Sequence, residues 1–145
     1  SLIKKNKAVK KEKILNNSVS IKILPILRKV VTNEEGTAAL ANVNGYEVGG
    51  KTGTAQKSIA GGYSKDKKVN TFISIFPTSK PKFVLAVMMD EPKINKDYIY
   101  EYRDGSNFKL KGSPRNTAGW NSVEVSGHIV EKIGPILATK YSEVN

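Results

Sequence analysis

The chain has 145 residues, with 24 Lys and Arg against 13 Asp and Glu, a formal net charge of +11 at pH 7; that length holds one domain at most. Its 39% apolar and 8% aromatic content closes a modest hydrophobic core and excludes an intrinsically disordered chain. With no Cys and with His128 as the only imidazole, disulfide frameworks, thiolate zinc sites and cysteine nucleophiles are excluded, and no metal or cofactor is expected.

Taken in chain order, Leu2-Ile3 is a short apolar opening before a Lys-rich stretch through Lys13, which reads as a loop or a frayed strand end. Asn17 or Ser18 can cap a helix, and Val19, Ile23, Ile26, Leu27, Val30 and Val31 then recur at the spacing of an amphipathic stripe. Pro25 is expected to kink this helix or displace its start, and Gly36 to stop it in the left-handed conformation. From Tyr46 to Gln56 the chain is rich in Gly and Thr, which favours an extended segment, and Gly61-Gly62 turns it. Val69 to Phe76 (VNTFISIF) and Phe83 to Met89 (FVLAVMM) read as two strands joined by a short hairpin. Residues Lys93 to Asn121 are polar, with alternating Tyr98, Tyr100 and Tyr102 that suggest a weak strand or a tyrosine-rich loop. Ser122 can cap a last helix, with Val125, Ile129, Val130 and Ile133 on one face and a break at Gly134-Pro135. His128 reads as a surface residue of that helix, and Trp120 and Tyr46 as packing anchors.

The apolar run Phe83 to Met89 is far shorter than the roughly 20 residues that cross a bilayer as a helix. The sequence opens at Ser1 with no initiator Met and reads as a piece of a longer protein. Its excess charge is local: Ser1 to Lys13 carries six Lys and one Glu, and Lys65 to Lys82 five Lys and one Asp. The basic residues are 21 Lys and 3 Arg, whereas base-reading and bidentate phosphate sites favour Arg. A solvated lysine surface is therefore expected, with no nucleic-acid partner.

Gly45 to Thr52 satisfies G-x-x-x-x-G-K-[ST], the phosphate-cradling P-loop pattern, and Val84 to Asp90 then resembles the strand that carries a magnesium-binding carboxylate. That chemistry requires a buried strand before Gly45 and a helix starting at Lys51-Thr52. Gly53, Thr54, Ser58 and Gly61-Gly62 oppose such a helix. As a strand, Val48 to Gln56 projects Lys51 and Gly53 to one face and Thr52 and Thr54 to the other. At a sheet edge the hydroxyls can bind a carboxylate, Gly53 lets an extended ligand approach, and Lys51 supplies a positive charge.

The octapeptide Gly50-Lys51-Thr52-Gly53-Thr54-Ala55-Gln56-Lys57 resembles the Lys-Thr-Gly box of penicillin-binding proteins, in the form typical of class B peptidoglycan transpeptidases. The likeness extends to Val30-Val31, Gly36-Thr37-Ala38 and Gly45-Tyr46 before the box, and to Ile75-Phe76-Pro77, Asp90-Glu91-Pro92 and Thr117-Ala118-Gly119-Trp120 after it, covering about Val19 to Leu137. The resemblance implies an α+β penicillin-binding transpeptidase fold, here its C-terminal portion over 1–145: an antiparallel sheet of about three strands packed by an upstream and a C-terminal helix. It implies that Lys51 hydrogen-bonds the serine of the family's second box and assists proton transfer. Thr52 and Thr54 then bind the carboxylate of a peptide or β-lactam, Gly53 lies in the same substrate strand, and the Thr54 N–H forms half the oxyanion hole.

The family's nucleophile stands in S-x-x-K at a helix start. Ser1, Ser64, Ser79 and Ser106 each open such a string here, none in that context, and no S-x-N triplet occurs. The expectation is that the nucleophile-bearing part belongs to the same domain but lies upstream, and that this chain alone is not acylated. Exposed sheet edges or apolar faces should follow. The parent is expected to cross-link peptidoglycan stem peptides at division, to bind β-lactams, and to face the periplasm from an inner-membrane anchor outside this chain, among membrane division-machinery proteins. A penicillin-recognising sensor without turnover and a P-loop nucleotide-binding protein are the alternatives.

Overall fold

The structure is a computed structural model and describes residues 13–113 and 115–142; Leu2-Ile3 and Ser1 lie outside them. Helix α1 (Asn17–Thr32) leads through a short 3-10 turn at Ala39–Ala41 into strands β1 (Gly49–Ile59), β2 (Gly62–Phe76) and β3 (Phe83–Asp90). A small hairpin of β4 (Ile99–Glu101) and β5 (Lys109–Lys111) follows, then a 3-10 turn at Ala118–Trp120 and helix α2 (Ser122–Ser142). The main sheet is antiparallel in the order β1-β2-β3. The expected α+β architecture, three antiparallel strands between two helices, is the observed one.

Strand alternation decides which side chains are inside. On β2, Asn70, Phe72, Ser74 and Phe76 are buried, and Phe72 and Phe76 share one core cluster with Val123 and Val130 of α2. Across the strands, Thr52 stands opposite Phe72 and Thr54 opposite Asn70, so these residues share that face. Lys51, Gly53, Ile73, Val84 and Met88 occupy the other face, against which α1 packs at the Gly49 end of β1. A Cβ on Gly49 would lie 3.0 Å from the Arg28 backbone nitrogen, so glycine permits the helix to approach there. Ile73, Val84 and Met88 remain 52%, 71% and 71% exposed.

Several expectations need correction. α1 ends at Thr32 rather than near Gly36, with Asn33 as its extended C-cap. Gly36 is not left-handed; it is required because a Cβ there would come within 2.5 Å of the Val30 carbonyl oxygen. Pro25 lies inside the helix without displacing its start, and only Val31 of the expected stripe is fully buried, while Val19, Ile23 and Ile26 are exposed. Pro135 likewise sits within a continuous α2, and Gly134 lets the helix press on the Tyr46 ring, which a Cβ there would overlap. β2 starts at Gly62 rather than Val69. Of the two readings of the tyrosine segment, the strand holds, since Ile99–Glu101 pairs with Lys109–Lys111.

Candidate functional site

The entry to β1 is fixed by side chains from three directions. Arg28 donates to the Val48 carbonyl at 2.6 Å and to Asn42 Oδ1 at 3.0 Å, tying α1 to the segment before the strand. Glu47 accepts the Ser79 N–H on Oε2 at 3.0 Å, and its carbonyl accepts the Thr78 N–H at 3.0 Å, fastening the β2-β3 turn to the same place. Hydrogen bonds from Ser79, its side-chain hydroxyl first and its backbone N–H second, keep the Glu47 carboxyl below its usual range.

Within β1, Thr52 Oγ1 lies 2.9 Å from Thr37 Oγ1, and Thr54 Oγ1 accepts the Ala118 N–H at 3.0 Å. Both threonines line a cleft of about 350 Å³ with Thr37, Tyr102, Thr117 and Trp120, and Arg115 is its cation. A Cβ on Gly119 would stand 2.7 Å from the Thr37 carbonyl oxygen, so glycine brings the Thr117 to Trp120 segment against Thr37. Trp120 is held edge-on to Tyr100 at 5.1 Å between ring centres, the packing role expected of it. β1 is an outer strand, and among the described residues its outer edge has no strand partner.

Lys51 is on the opposite face, exposed, its Nζ donating to the Thr52 carbonyl at 2.8 Å. Gly53 shares that face, where a Cβ would meet nothing closer than the Thr71 carbonyl oxygen at 3.9 Å. No contact within the described residues requires glycine there. The four expected residues thus separate into a hydroxyl pair in a cleft and a lysine with a bare glycine on the reverse side. Lys51-Thr52 lies inside a strand, not at a helix start, which removes the phosphate cradle of a P-loop. Asp90 and Glu91 close β3 and pair with Lys57 at 2.6 and 2.9 Å. Thr37, Tyr102, Arg115 and Thr117 were not singled out from the sequence as site residues. Gly36-Thr37-Ala38 and Thr117-Ala118-Gly119-Trp120 carried the only signal for two of them.

Behind the cleft, Arg103 is 8% and Glu124 4% exposed. Arg103 donates to Glu124 at 2.9 and 3.0 Å, to the Leu40 carbonyl at 3.1 Å and to Glu131 at 3.3 Å. Burial alone pulls the guanidinium downward, but the two carboxylates outweigh it and hold the cation above its usual range. His128, half-exposed on α2, adds its Nε2 within 3.0 Å of Glu124 Oε1.

The sequence model of the penicillin binding protein transpeptidase domain matches residues 1–107. The chain belongs to that family. A probable peptidoglycan D,D-transpeptidase FtsI of Caulobacter vibrioides is 31% identical over 135 residues, 88% of this chain and 20% of the relative. The stage V sporulation protein D of Bacillus subtilis is 40% identical over 91 residues, 63% of this chain and 14% of that protein. The transpeptidase domain of Burkholderia pseudomallei penicillin-binding protein 3 superimposes with a TM-score of 0.59 at 29% identity, covering 82% of this chain and 30% of that one. Penicillin-binding protein 3 of Mycobacterium tuberculosis, complexed with aztreonam, gives a TM-score of 0.54 at 28% identity, over 79% of this chain and 24% of that one. These relatives put the transpeptidase-family chain among the class B members. It spans between 10% and 20% of the length of the Nephroselmis olivacea and Caulobacter vibrioides relatives it matches.

Proposed function

We propose that this chain is the C-terminal, substrate-strand portion of a serine-type peptidoglycan D,D-transpeptidase of the division-specific kind. The observation that carries the reading is the pair of Thr52 and Thr54 on the wall of one cleft, on a strand with an unpaired outer edge, with Lys51 and the bare Gly53 on the reverse face. A peptide laid along that edge is bound by backbone N–H and C=O groups, while the two hydroxyls take its terminal carboxylate. The Thr54 N–H, with the nucleophile's own N–H, receives the oxyanion that forms as a serine attacks the penultimate D-Ala carbonyl. The terminal D-Ala leaves, and the amine of a second stem peptide takes the acyl group from the serine.

The nucleophile and the second-box serine belong to an upstream part of the same domain. Its seat is the face carrying Lys51, Gly53, Ile73, Val84 and Met88, a reading supported by the exposure of Ile73, Val84 and Met88 among the described residues. Lys51 then exchanges its bond to the Thr52 carbonyl for the second-box serine and passes protons during acylation. β-Lactams acylate the same serine. No helix among the described residues is long and apolar enough to cross a membrane; the membrane anchor, periplasmic placement and contacts with division-machinery proteins belong to the remainder of the protein. Fluorescent penicillin labelling of the full-length protein, with Lys51→Ala beside it, tests the proposal: a stable adduct that the substitution suppresses is expected, and an unlabelled protein would refute it.

A further inference from the structure

A second cleft, of about 520 Å³, adjoins the first, and Arg115 and Thr117 line both. Its other walls include Lys65, Lys68 and Lys93, with Asp66 as the one carboxylate. The four cations come from three separate segments: the start of β2, the stretch after β3 and the approach to α2. Among the described residues none of the four takes part in an ion pair, whereas Lys57 has two and Lys109 and Lys111 one each. Like charges gathered on one concave wall repel, and an anion between them relieves that repulsion.

The wall is built rather than incidental. The Asn116 side chain donates to the Pro92 carbonyl at 2.6 Å and accepts from Asn70 at 3.0 Å and Asn121 at 3.3 Å. Half-buried Lys68 is held by the Asn116 carbonyl at 3.3 Å, a neutral partner that leaves its charge uncompensated. The Arg115 N–H and carbonyl are both engaged by Ser113 Oγ, which fixes the backbone that presents the guanidinium.

Position completes the argument. A peptide whose terminal carboxylate rests on Thr52 and Thr54 extends along the outer edge of β1 away from the Gly49 end, because α1 closes that end. It therefore runs toward Gln56, whose partner on β2 is Lys68. We infer that the second cleft is a subsite for an anionic group of the substrate, a side-chain carboxylate carried by the peptide N-terminal to its D-Ala-D-Ala end. This rests on the reading of the first cleft given above.

The test is inhibition of fluorescent penicillin acylation of the full-length protein by acetylated synthetic peptides ending in D-Ala-D-Ala. Each carries Glu or Gln at one of the two or three positions preceding that pair. At one register the Glu peptide is expected to inhibit at roughly 5–10-fold lower concentration than its Gln twin, with the difference shrinking as salt is raised. The preference should fall to within about twofold in Lys68→Gln/Lys93→Gln and in Arg115→Gln, with the acylation rate of each variant recorded to register a folding defect. Equal inhibition by Glu and Gln peptides at every register, with acylation intact, overturns the subsite and leaves the transpeptidase reading standing. So does a variant effect confined to binding of phosphatidylglycerol vesicles, which would make the cations a membrane-facing surface. Absence of penicillin acylation and of inhibition by either peptide overturns both.

Discussion

Thr54 of β1 and Ala118 of the 3-10 turn before α2 are joined by a 3.0 Å hydrogen bond from the Ala118 N–H to the threonine hydroxyl. The bond spans 64 positions of sequence and fixes the side chain that the proposed chemistry needs. Thr54→Val keeps the shape but removes the acceptor, leaving the N–H of buried Ala118 unpaired at a cost of about 1–3 kcal/mol. Penicillin acylation of the full-length protein should fall roughly 10–100-fold, while Thr54→Ser retains most of it. An acylation rate in Thr54→Val equal to wild type would remove Thr54 from the site.

Much of this arrangement was readable in the sequence, and for a physical reason. Val69 to Phe76 and Phe83 to Met89 are β-branched and aromatic runs bounded by Pro and acidic residues, so their pairing followed from composition and separation. The Gly-Thr run of β1 likewise resists a helix. The start of β2 was missed because Tyr63 to Lys68 is mostly polar and exposed; cross-strand pairing with β1 extends it, not burial. The three-residue strands of β4 and β5 are too short for periodicity to show. Gly36 and Gly134 read as helix breakers, yet each marks a close approach that only tertiary packing reveals.

The Arg103–Glu124 pair is the main buried electrostatic element of the described residues. Arg103→Ala strands the Glu124 carboxylate in the interior and should cost about 3–5 kcal/mol. Because Arg103 also holds the Leu40 carbonyl on the cleft wall, the variant should lose penicillin acylation through a displaced cleft wall as well as through stability. Urea unfolding of wild type and variant measures the first effect; a difference below about 1 kcal/mol would contradict the buried-pair account.

Alkali should unfold the region behind the cleft. Burial first, then the nearby Glu124 carboxylate, raises the Tyr98 phenol; burial raises Tyr100; and burial followed by Asp104 raises Tyr102. Groups with raised folded pKa values contribute stability that is complete below the unfolded value of about 10 and is lost as pH climbs through the folded ones. Ultraviolet titration of tyrosinate should show a late-ionising class that appears together with loss of structure. Six tyrosines titrating together in the folded state near their free value would contradict this.

The exposed sheet face yields opposite outcomes in two settings. In the isolated 145-residue chain, Ile73→Lys with Val84→Lys should raise solubility, because it breaks up an uncovered apolar patch. In the full-length protein the same pair should destabilise by more than about 2 kcal/mol if, as proposed, an upstream part of the domain covers that face. Sedimentation of the chain and thermal melting of the full-length protein read the two effects, and a neutral result in the full-length protein would leave that face without its proposed cover.

The most direct measurement is to label the full-length protein with fluorescent penicillin, digest it, and locate the acylated residue by mass spectrometry, with Lys51→Ala and the isolated 145-residue chain in parallel. The expected result is one ester on a serine of an S-x-x-K string upstream of residue 1, slowed by roughly 10²–10⁴-fold in Lys51→Ala, and no ester on the isolated chain. An ester on a serine within residues 1–145, or labelling indifferent to Lys51, would contradict the account.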